Sequence, residues 1–388
     1  MPRKPPPTSP AQARHAVGHS RDRAITRAIE SWFRANARDL PWRRPAGRDL
    51  QQNGWRRDPY RSLVSEAMLQ QTQVSRVIDR YTAFIKRFPT VQSLARADEL
   101  DVLAMWDGLG YYRRARHLHA AARLIASEFD DKIPRDVQRL RRLPGVGAYT
   151  AGAIASMAAG QREALADGNV VRVLLRIDGR NGRTGDKATL DWTWARARAL
   201  VSACNNPALF NEGVMELGAL VCTPARPACA GCPMRPSCRA GAEGRAALIP
   251  RPRRAPHRSL VFSDSILIID SLGRVLMQQR PAAGMWSSMW QALCIESTTR
   301  HAGEKTITRA MERLGIGPLG VTPLLTFSHT TSHREISFRS WIARLSRAHR
   351  LAPARDAGLR VLPLTAALRL PISSAQRRIL EAARRDGA

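Results

Sequence analysis

The chain has 388 residues and a formal net charge of +30, enough length for two or three domains, each burying its own core. A basic excess of that size points to a polyanion, above all nucleic acid, whose phosphates supply much of the affinity. Lys occurs only at Lys4, Lys86, Lys132, Lys187 and Lys305, so codon bias toward Arg accounts for part of the excess, and charge alone does not say which polyanion. Six cysteines are too sparse for a disulfide scaffold. No segment is apolar and long enough to span a bilayer. A soluble, cytoplasmic protein is expected.

Residues 1–24 are rich in Pro, Arg, Ser and Thr without the apolar run of a secretory signal, and are expected to form a disordered basic tail. A short amphipathic helix is expected from Ile25 to Ala35, ahead of Asp39-Leu-Pro-Trp-Arg43. Residues 44–57, polar and carrying Pro45, Gly47 and Gly54, read as a loop. Asp58-Pro59 then opens a helix, since Pro suits a first helical position. In the stretch that follows, Leu63, Ala67, Val74, Ile78, Tyr81 and Ile85 form one apolar stripe if the helix is continuous. Glu66, Gln70 and Gln73 share a row at its border. A partly desolvated carboxyl has a raised pKa, which suits a proton donor near neutral pH; a surface Glu on an ordinary helix is the bland alternative.

From there to about residue 220 helix follows helix, with breaks at Phe88-Pro-Thr90, Gly108-Leu-Gly110, Lys132-Ile-Pro134, Leu143-Pro-Gly-Val-Gly147, Asp167-Gly-Asn169 and Asn206-Pro207. Residues 241–258 shift to a basic, Pro-rich linker. Beyond it Val261-Phe262, Ile266–Ile269 and Val275–Met277 look like strands, with a turn at Ser271–Gly273. Thr306 to Leu314 is expected as a helix and Ile336 to Leu345 as a strand. The domains are therefore an all-α region over 25–240 and an α/β domain over 259–388.

Leu143, Gly145, Val146 and Gly147 lie in a tight turn between helices spanning 135–142 and 149–159. Such a turn points backbone N–H groups outward, as phosphate binding requires, though a plain helix–helix connection has the same pattern. In a strongly basic chain it is taken as a helix–hairpin–helix that positions the protein on DNA backbone without reading sequence. Asp167 is a natural N-cap for the apolar helix Val171 to Ile177, and can still offer a carboxylate to a site. An Asp167 held ionised while Glu66 stays protonated would split the two acids by role. Cys222, Cys229, Cys232 and Cys238 are four thiols in one loop, the pattern of zinc or of a [4Fe–4S] cluster. Cys204 and Cys294 lie outside the loop and read as core residues or free thiols.

Glu66 in Ser-Glu-x-Met-Leu-Gln-Gln-Thr-Gln-Val, the Leu-Pro-Gly-Val-Gly hairpin, Asp167 in Asp-Gly-Asn-Val and the Cys-x6-Cys-x2-Cys-x5-Cys loop occur in that order. Together they resemble the MutY-type adenine DNA glycosylases of the helix–hairpin–helix superfamily, over about Leu40 to Arg239. The resemblance implies excision of adenine mispaired with 8-oxoguanine or guanine in double-stranded DNA, the start of base excision repair. It implies that Glu66 protonates adenine N7 and later helps position water. Asp167 would stabilise an oxocarbenium-like sugar, with Tyr149 close by. Arg43 and Glu212 match residues lining the adenine pocket; Gln71, Thr72, Leu109 and Tyr111 match residues at the gap and beside the lesion. The cysteine loop looks like that superfamily's [4Fe–4S] loop, structural rather than hydrolytic. In the similar endonuclease III branch a Lys stands where this chain has Tyr149, which implies a monofunctional enzyme without a strong lyase step.

The C-terminal region resembles the Nudix-like module that recognises 8-oxoguanine, with Phe327, Ser328 and His329 as its Phe-Ser-His loop, and Gln279-Arg-Pro281 and Gly284-Met-Trp286 also fitting. Nudix hydrolysis needs clustered carboxylates for Mg²⁺, and only the scattered Glu296, Glu304 and Glu312 are found there. The chain departs from the family in its longer 44–57 loop, in Ser287-Ser288 where a Gly pair is common, and in His117 for a frequent Asn. An endonuclease III-like lyase and a non-catalytic Fe–S protein on DNA are the competing readings. A monomer acting without a membrane is expected.

Overall fold

The computed structural model describes residues 10–44, 54–252, 258–316, 320–331, 333–345, 351 and 358–387, with side chains from residue 20 onward. Residues 45–53 of the expected 44–57 loop, 1–9 of the tail and 253–257 of the linker lie outside the described residues. The helices are α1 (Pro10–Asn36), α2 (Pro59–Leu69), α3 (Val74–Arg87), α4 (Val91–Ala95), α5 (Glu99–Met105), α6 (Arg113–Glu128), α7 (Val137–Leu140), α8 (Ala148–Met157), α9 (Gly168–Ile177), α10 (Lys187–Ala203), α11 (Pro207–Leu220) and α12 (Arg239–Ala242). Strands β1 (Ser259–Ile269), β2 (Arg274–Gln279), β3 (Trp290–Gln291), β4 (Leu293–Ser297), β5 (Val321–Thr330), β6 (Arg334–Arg344) and β7 (Leu359–Pro363) follow, with α13 (Glu304–Glu312), α14 (Leu364–Ala367) and α15 (Ser374–Arg385). The expected order of an all-α region and then an α/β region holds. The chain forms two compact units, Met1–Ala97 with Arg113–Arg254, and Asp98–Tyr112 with Ala255–Ala388.

In the first unit, α1 buries Ile25, Ile29 and Phe33 against the underside of α11. Gly213 allows that approach, since a Cβ there would meet Ile29 Cγ2 at 2.7 Å. Helix α1 begins at Pro10, well ahead of the expected Ile25, so the tail expected over 1–24 is helical through most of its length. Ion pairs hold its second half: Arg21 with Asp178 at 2.7 Å, and Asp22 with Arg196 at 2.7 Å. Helices α8 and α9 are buried nearly all round; α8 reads as a near-continuous apolar run, and α9 as one interrupted only by Arg172 and Arg176. Their starts are set by caps: Gly147 for α8, and for α9 the carboxylate of Asp167, which accepts from Val170 N at 2.7 Å.

The single helical stripe expected from Leu63 to Ile85 is instead two helices. Helix α2 stops at Leu69, Gln71 adopts φ +56°, and α3 restarts at Val74. The buried face of α3 is therefore Val77, Tyr81 and Phe84 rather than Val74, Ile78 and Ile85. The expected row of Glu66, Gln70 and Gln73 is broken with it. The start of the expected 241–258 linker is also ordered structure: Ala246 and Ile249 are buried in a cluster with Val171 and Leu175 of α9.

The second unit is a mixed sheet in the order β3-β2-β1-β6-β5, with β4 also on β1 and β7 on β2. Strands β1 and β6 run parallel over Ser259–Ile269, and the other pairs are antiparallel. Alternation sorts the two faces: Ile266 and Ile268 pack with Ile307 and Met311 of α13, while Leu267 and Ile269 pack with Leu380 and Ala383 of α15. The segment 98–112, expected within the helical region, groups here. Asp107 accepts a hydrogen bond from the Tyr112 hydroxyl at 3.1 Å and from Arg377 of α15 at 3.0 Å. Among the described residues no helix is long and apolar enough to cross a membrane.

Candidate active site

Asp58 starts α2 by accepting from Arg61 N at 2.8 Å, with Pro59 at the first helical position. Two turns on, α2 presents Glu66, only 4% exposed. The residue before the cap is Arg57, equally buried, whose Nε and Nη2 donate to the two carboxylate oxygens of Glu212 on α11, both at 2.5 Å. Its Nη1 faces Glu66 Oε1 at 3.4 Å. Arg43, in the Pro41–Arg43 turn, donates to Glu212 at 2.8 Å and to Glu216 at 2.9 and 3.1 Å. Glu216 is one helical turn beyond Glu212 and also takes Arg38. Expected Arg43 and Glu212 thus meet; Arg57, Glu216 and Arg38 complete the group.

The electrostatics separate these acids. Burial pushes the Glu66 carboxyl upward, Arg57 and the Tyr149 hydroxyl pull it down, and the charges of Glu212 and Asp167 add to the rise; the net direction is up. Burial acts on Glu212 too, but there the charges and hydrogen bonds of Arg57 and Arg43 outweigh it and hold it below the usual carboxylate range. Glu216 is held at about 2, because the Arg38 and Arg43 hydrogen bonds overcome its burial. Tyr149 on α8 is pushed well above 10 by burial, with the Glu66 and Asp167 charges adding, so it stays a protonated donor. Its hydroxyl contacts Met215 Sδ at 3.2 Å.

Asp167 caps α9 and also accepts from Asn169 Nδ2 at 2.9 Å. From the sequence Asp167 is expected to be held ionised; in the free protein its pKa is raised, because burial outweighs the hydrogen bonds from Val170 and Asn169. Beyond it Asn169 accepts from Arg172 at 2.7 Å, and Arg172 donates to the Cys222 carbonyl at 2.8 Å. Arg176, one turn on, donates to Cys222 Sγ at 3.3 Å and to the Thr223 carbonyl at 2.7 Å. Two Arg at i and i+4 in an otherwise apolar helix were the available sequence signal for this arrangement.

Cys222, Cys229, Cys232 and Cys238 line one cavity walled by Val173, Ile177 and Leu217. Burial and the neighbouring thiols push Cys232 up to about 11. Gly241 N donates to Cys238 Sγ at 3.4 Å. Sulfurs converging on an apolar space, with N–H and guanidinium donors aimed at them, suit a cluster or a soft metal. Among the described residues no three Cys, His, Asp or Glu groups stand as a finished ligand set.

At the hairpin, the Leu143 and Val146 side chains are buried and build the turn. The Val146 N–H is taken by the Leu143 carbonyl at 3.1 Å. A phosphate would therefore meet the first N–H groups of α8, which Gly147 leaves without a side-chain cap. Gln71 is exposed and Thr72 half-buried. In the second unit Tyr111 is 53% exposed at φ +47°, whereas Leu109 is 5% exposed and placed as a core residue.

On β5, Phe327 is buried and stacked on Phe338 at 5.0 Å, under the Arg378 guanidinium at 4.4 Å. As placed it packs within the unit, against Phe338 and beneath Arg378. Ser328 is exposed, and His329 is half-buried with its ring 5.7 Å from Trp286. Burial lowers the His329 pKa, so the ring is neutral at pH 7 and can both donate and accept.

Residues 64–196 match the HhH-GPD superfamily of base excision DNA repair proteins, and residues 265–382 match the NUDIX domain. The chain is 34% identical to the adenine DNA glycosylase of Rattus norvegicus, over 81% of this chain and 69% of that protein. It is 44% identical to the Homo sapiens adenine DNA glycosylase over 56% of this chain, but spans only 39% of that protein's length. A solved thermostable thymine-DNA glycosylase is 25% identical, covering 58% of this chain and all but 1% of its own, with a TM-score of 0.49. With both family matches in this order and 34% identity to a relative of which it covers 69%, the chain belongs to the MutY-type adenine DNA glycosylases, DNA glycosylase enzymes of base excision repair.

Proposed function

We propose that the protein hydrolyses the N-glycosidic bond of adenine mispaired with 8-oxoguanine or guanine in double-stranded DNA. The observation that carries this reading is Glu66: a buried carboxyl with a raised pKa, beside a protonated Tyr149 and a second acid, Asp167. Adenine leaves poorly as an anion, so a proton delivered to N7 by Glu66 makes it a neutral leaving group. Positive charge then grows on the sugar, where the Asp167 carboxylate is held by Val170 N and Asn169 to face it. Arrival of that positive charge favours the ionised form of Asp167, offsetting the burial that raises its pKa in the free enzyme. Glu66, now deprotonated, can accept a proton from the attacking water. Arg43 and Arg57 hold Glu212 ionised, with Arg57 bridging it to Glu66, so that it would accept from the exocyclic amine.

Tyr149 supports a monofunctional reaction, since a phenol kept protonated is no amine nucleophile. Cys222, Cys229, Cys232 and Cys238 would hold a [4Fe–4S] cluster, which when bound supplies structural cross-linking of the loop to α9. Ser328 and His329 would meet the oxidised base opposite the adenine, with Gln71, Thr72 and Tyr111 acting at the gap. The protein would act as a monomer on chromosomal DNA in the cytoplasm.

The test uses labelled duplexes carrying adenine opposite 8-oxoguanine, guanine or cytosine, incubated with the enzyme and divided between hot alkali and neutral buffer. Cleavage at adenine opposite 8-oxoguanine and guanine, and only after alkali, is expected. Cleavage without alkali would contradict the monofunctional mechanism, and equal cleavage opposite cytosine would contradict the mispair preference.

A further inference from the structure

We propose that Arg114 is the positioning residue that holds the Gln70–Thr72 turn in the conformation able to enter a duplex. The inference rests on the excision reading above, because adenine must leave the stack before Glu66 can reach it. Helix α2 ends at Leu69, three residues past Glu66, and the chain then doubles back through Gln71. Gln71 is exposed and sits at φ +56°, a left-handed conformation that a non-Gly residue adopts at a cost. Something outside the turn has to hold it there.

Arg114, in the first turn of α6, does so. Its Nη1 donates to the carbonyls of Ala67 at 3.0 Å, Met68 at 2.9 Å and Gln70 at 2.5 Å, and its Nη2 donates to Thr72 Oγ1 at 3.0 Å. The last carbonyls of a helix lack intrahelical donors, and a cation there also suits the helix dipole. One planar guanidinium therefore grips both sides of Gln71, which a Lys ammonium cannot do with the same geometry. One turn along α6, His117 lies beneath the hairpin: a Cβ at Gly145 would sit 2.7 Å from His117 Cβ. Gln70, Arg114, His117, Gly145 and Val146 line one small cavity. Helix α6 thus sets the spacing between the turn that would press into the stack and the hairpin that would hold the backbone.

The test compares single-turnover excision by full-length wild type, Arg114→Lys and Arg114→Met on two duplexes. In one, adenine is paired with 8-oxoguanine; in the other it faces an abasic-site analogue and is already unpaired. Thermal melts accompany each protein, and 2-aminopurine beside the adenine reports unstacking. Arg114→Met is expected to lose at least about tenfold more rate on the paired than on the unpaired duplex, the scale of one charge-assisted hydrogen bond, with a weaker 2-aminopurine signal. Arg114→Lys is expected to fall between, and it carries the comparison if the Met variant does not fold. Equal losses on the two duplexes, or none, would overturn the positioning role. A wild type that releases adenine from neither duplex would overturn the excision reading itself.

Discussion

Arg57 donates to both carboxylate oxygens of Glu212 at 2.5 Å while its third nitrogen lies 3.4 Å from Glu66. One buried guanidinium therefore fixes Glu212 and pulls down the pKa of Glu66. Replacing Arg57 with Gln removes the cation that pulls Glu66 down. The Glu66 pKa then rises, so the alkaline limb of the pH–rate profile moves to higher pH, by about one unit for a charge at this range. The overall rate falls, because Glu212 keeps only Arg43, and stability drops by about 3 kcal/mol or more from the uncompensated buried charge. Single-turnover rates against pH and urea melts check both. An unmoved alkaline limb in a folded variant would show that Arg57 does not tune Glu66.

The raised pKa of Glu66 carries a stability cost of defined sign. Its folded-state value lies above the unfolded value of about 4.3. Its favourable contribution is complete below that unfolded value and is lost as pH rises through the folded pKa. Glu66→Gln, which stays neutral, is therefore expected to melt higher than wild type at pH 8, and the gap should close near pH 4. Each unit of pKa shift corresponds to about 1.4 kcal/mol. Calorimetric melts across that pH range give the answer.

Gly145 has φ +78° and no room for a methyl against His117. Gly145→Ala is expected to destabilise the protein by about 1–3 kcal/mol and, if the hairpin holds DNA by its backbone as expected from the sequence, to weaken binding of matched and mispaired duplexes alike. Binding isotherms on both duplexes at one salt concentration test this; a loss confined to the mispaired duplex would contradict it.

Much of the fold was written in start signals. Asp58-Pro59, Asp167-Gly and Asn206-Pro207 each proved to be a helix N-terminus whose acid or amide accepts a backbone N–H. The break between α2 and α3 carried no such mark, because Gln70-Gln-Thr-Gln73 contains no Gly or Pro and apolar residues keep helical spacing across it. A tertiary hold by Arg114 created that turn, and local pattern does not encode it. Glu66 was legible because it lies in a long motif, and Asp167 because a short motif places it as the cap of an apolar helix. In a chain so rich in Arg, nothing in the sequence distinguishes the buried Arg57 and Arg114 from solvated ones. The parallel pairing of β1 with β6 was equally hidden, since its partners lie far apart in the chain.

Ser328 and His329 are reachable on β5, whereas Phe327 is packed beneath Arg378. If Ser328 and His329 meet the oxidised base as proposed, combining Ser328→Ala with His329→Ala is expected to lower the rate ratio between adenine opposite 8-oxoguanine and adenine opposite guanine by about tenfold, with little change in melting. Phe327→Ala is expected instead to cost about 3–5 kcal/mol in stability. Paired rate measurements and melts on the variants separate recognition from support.

The most direct measurement is the single-turnover excision rate of Glu66→Gln on adenine opposite 8-oxoguanine, with duplex affinity measured alongside. Glutamine keeps the shape of the side chain but carries no acidic proton. The rate is expected to fall by at least about a thousandfold, within the scale of general acid catalysis, with affinity changed little. A variant that excises adenine within a few-fold of wild type would contradict Glu66 as the proton donor.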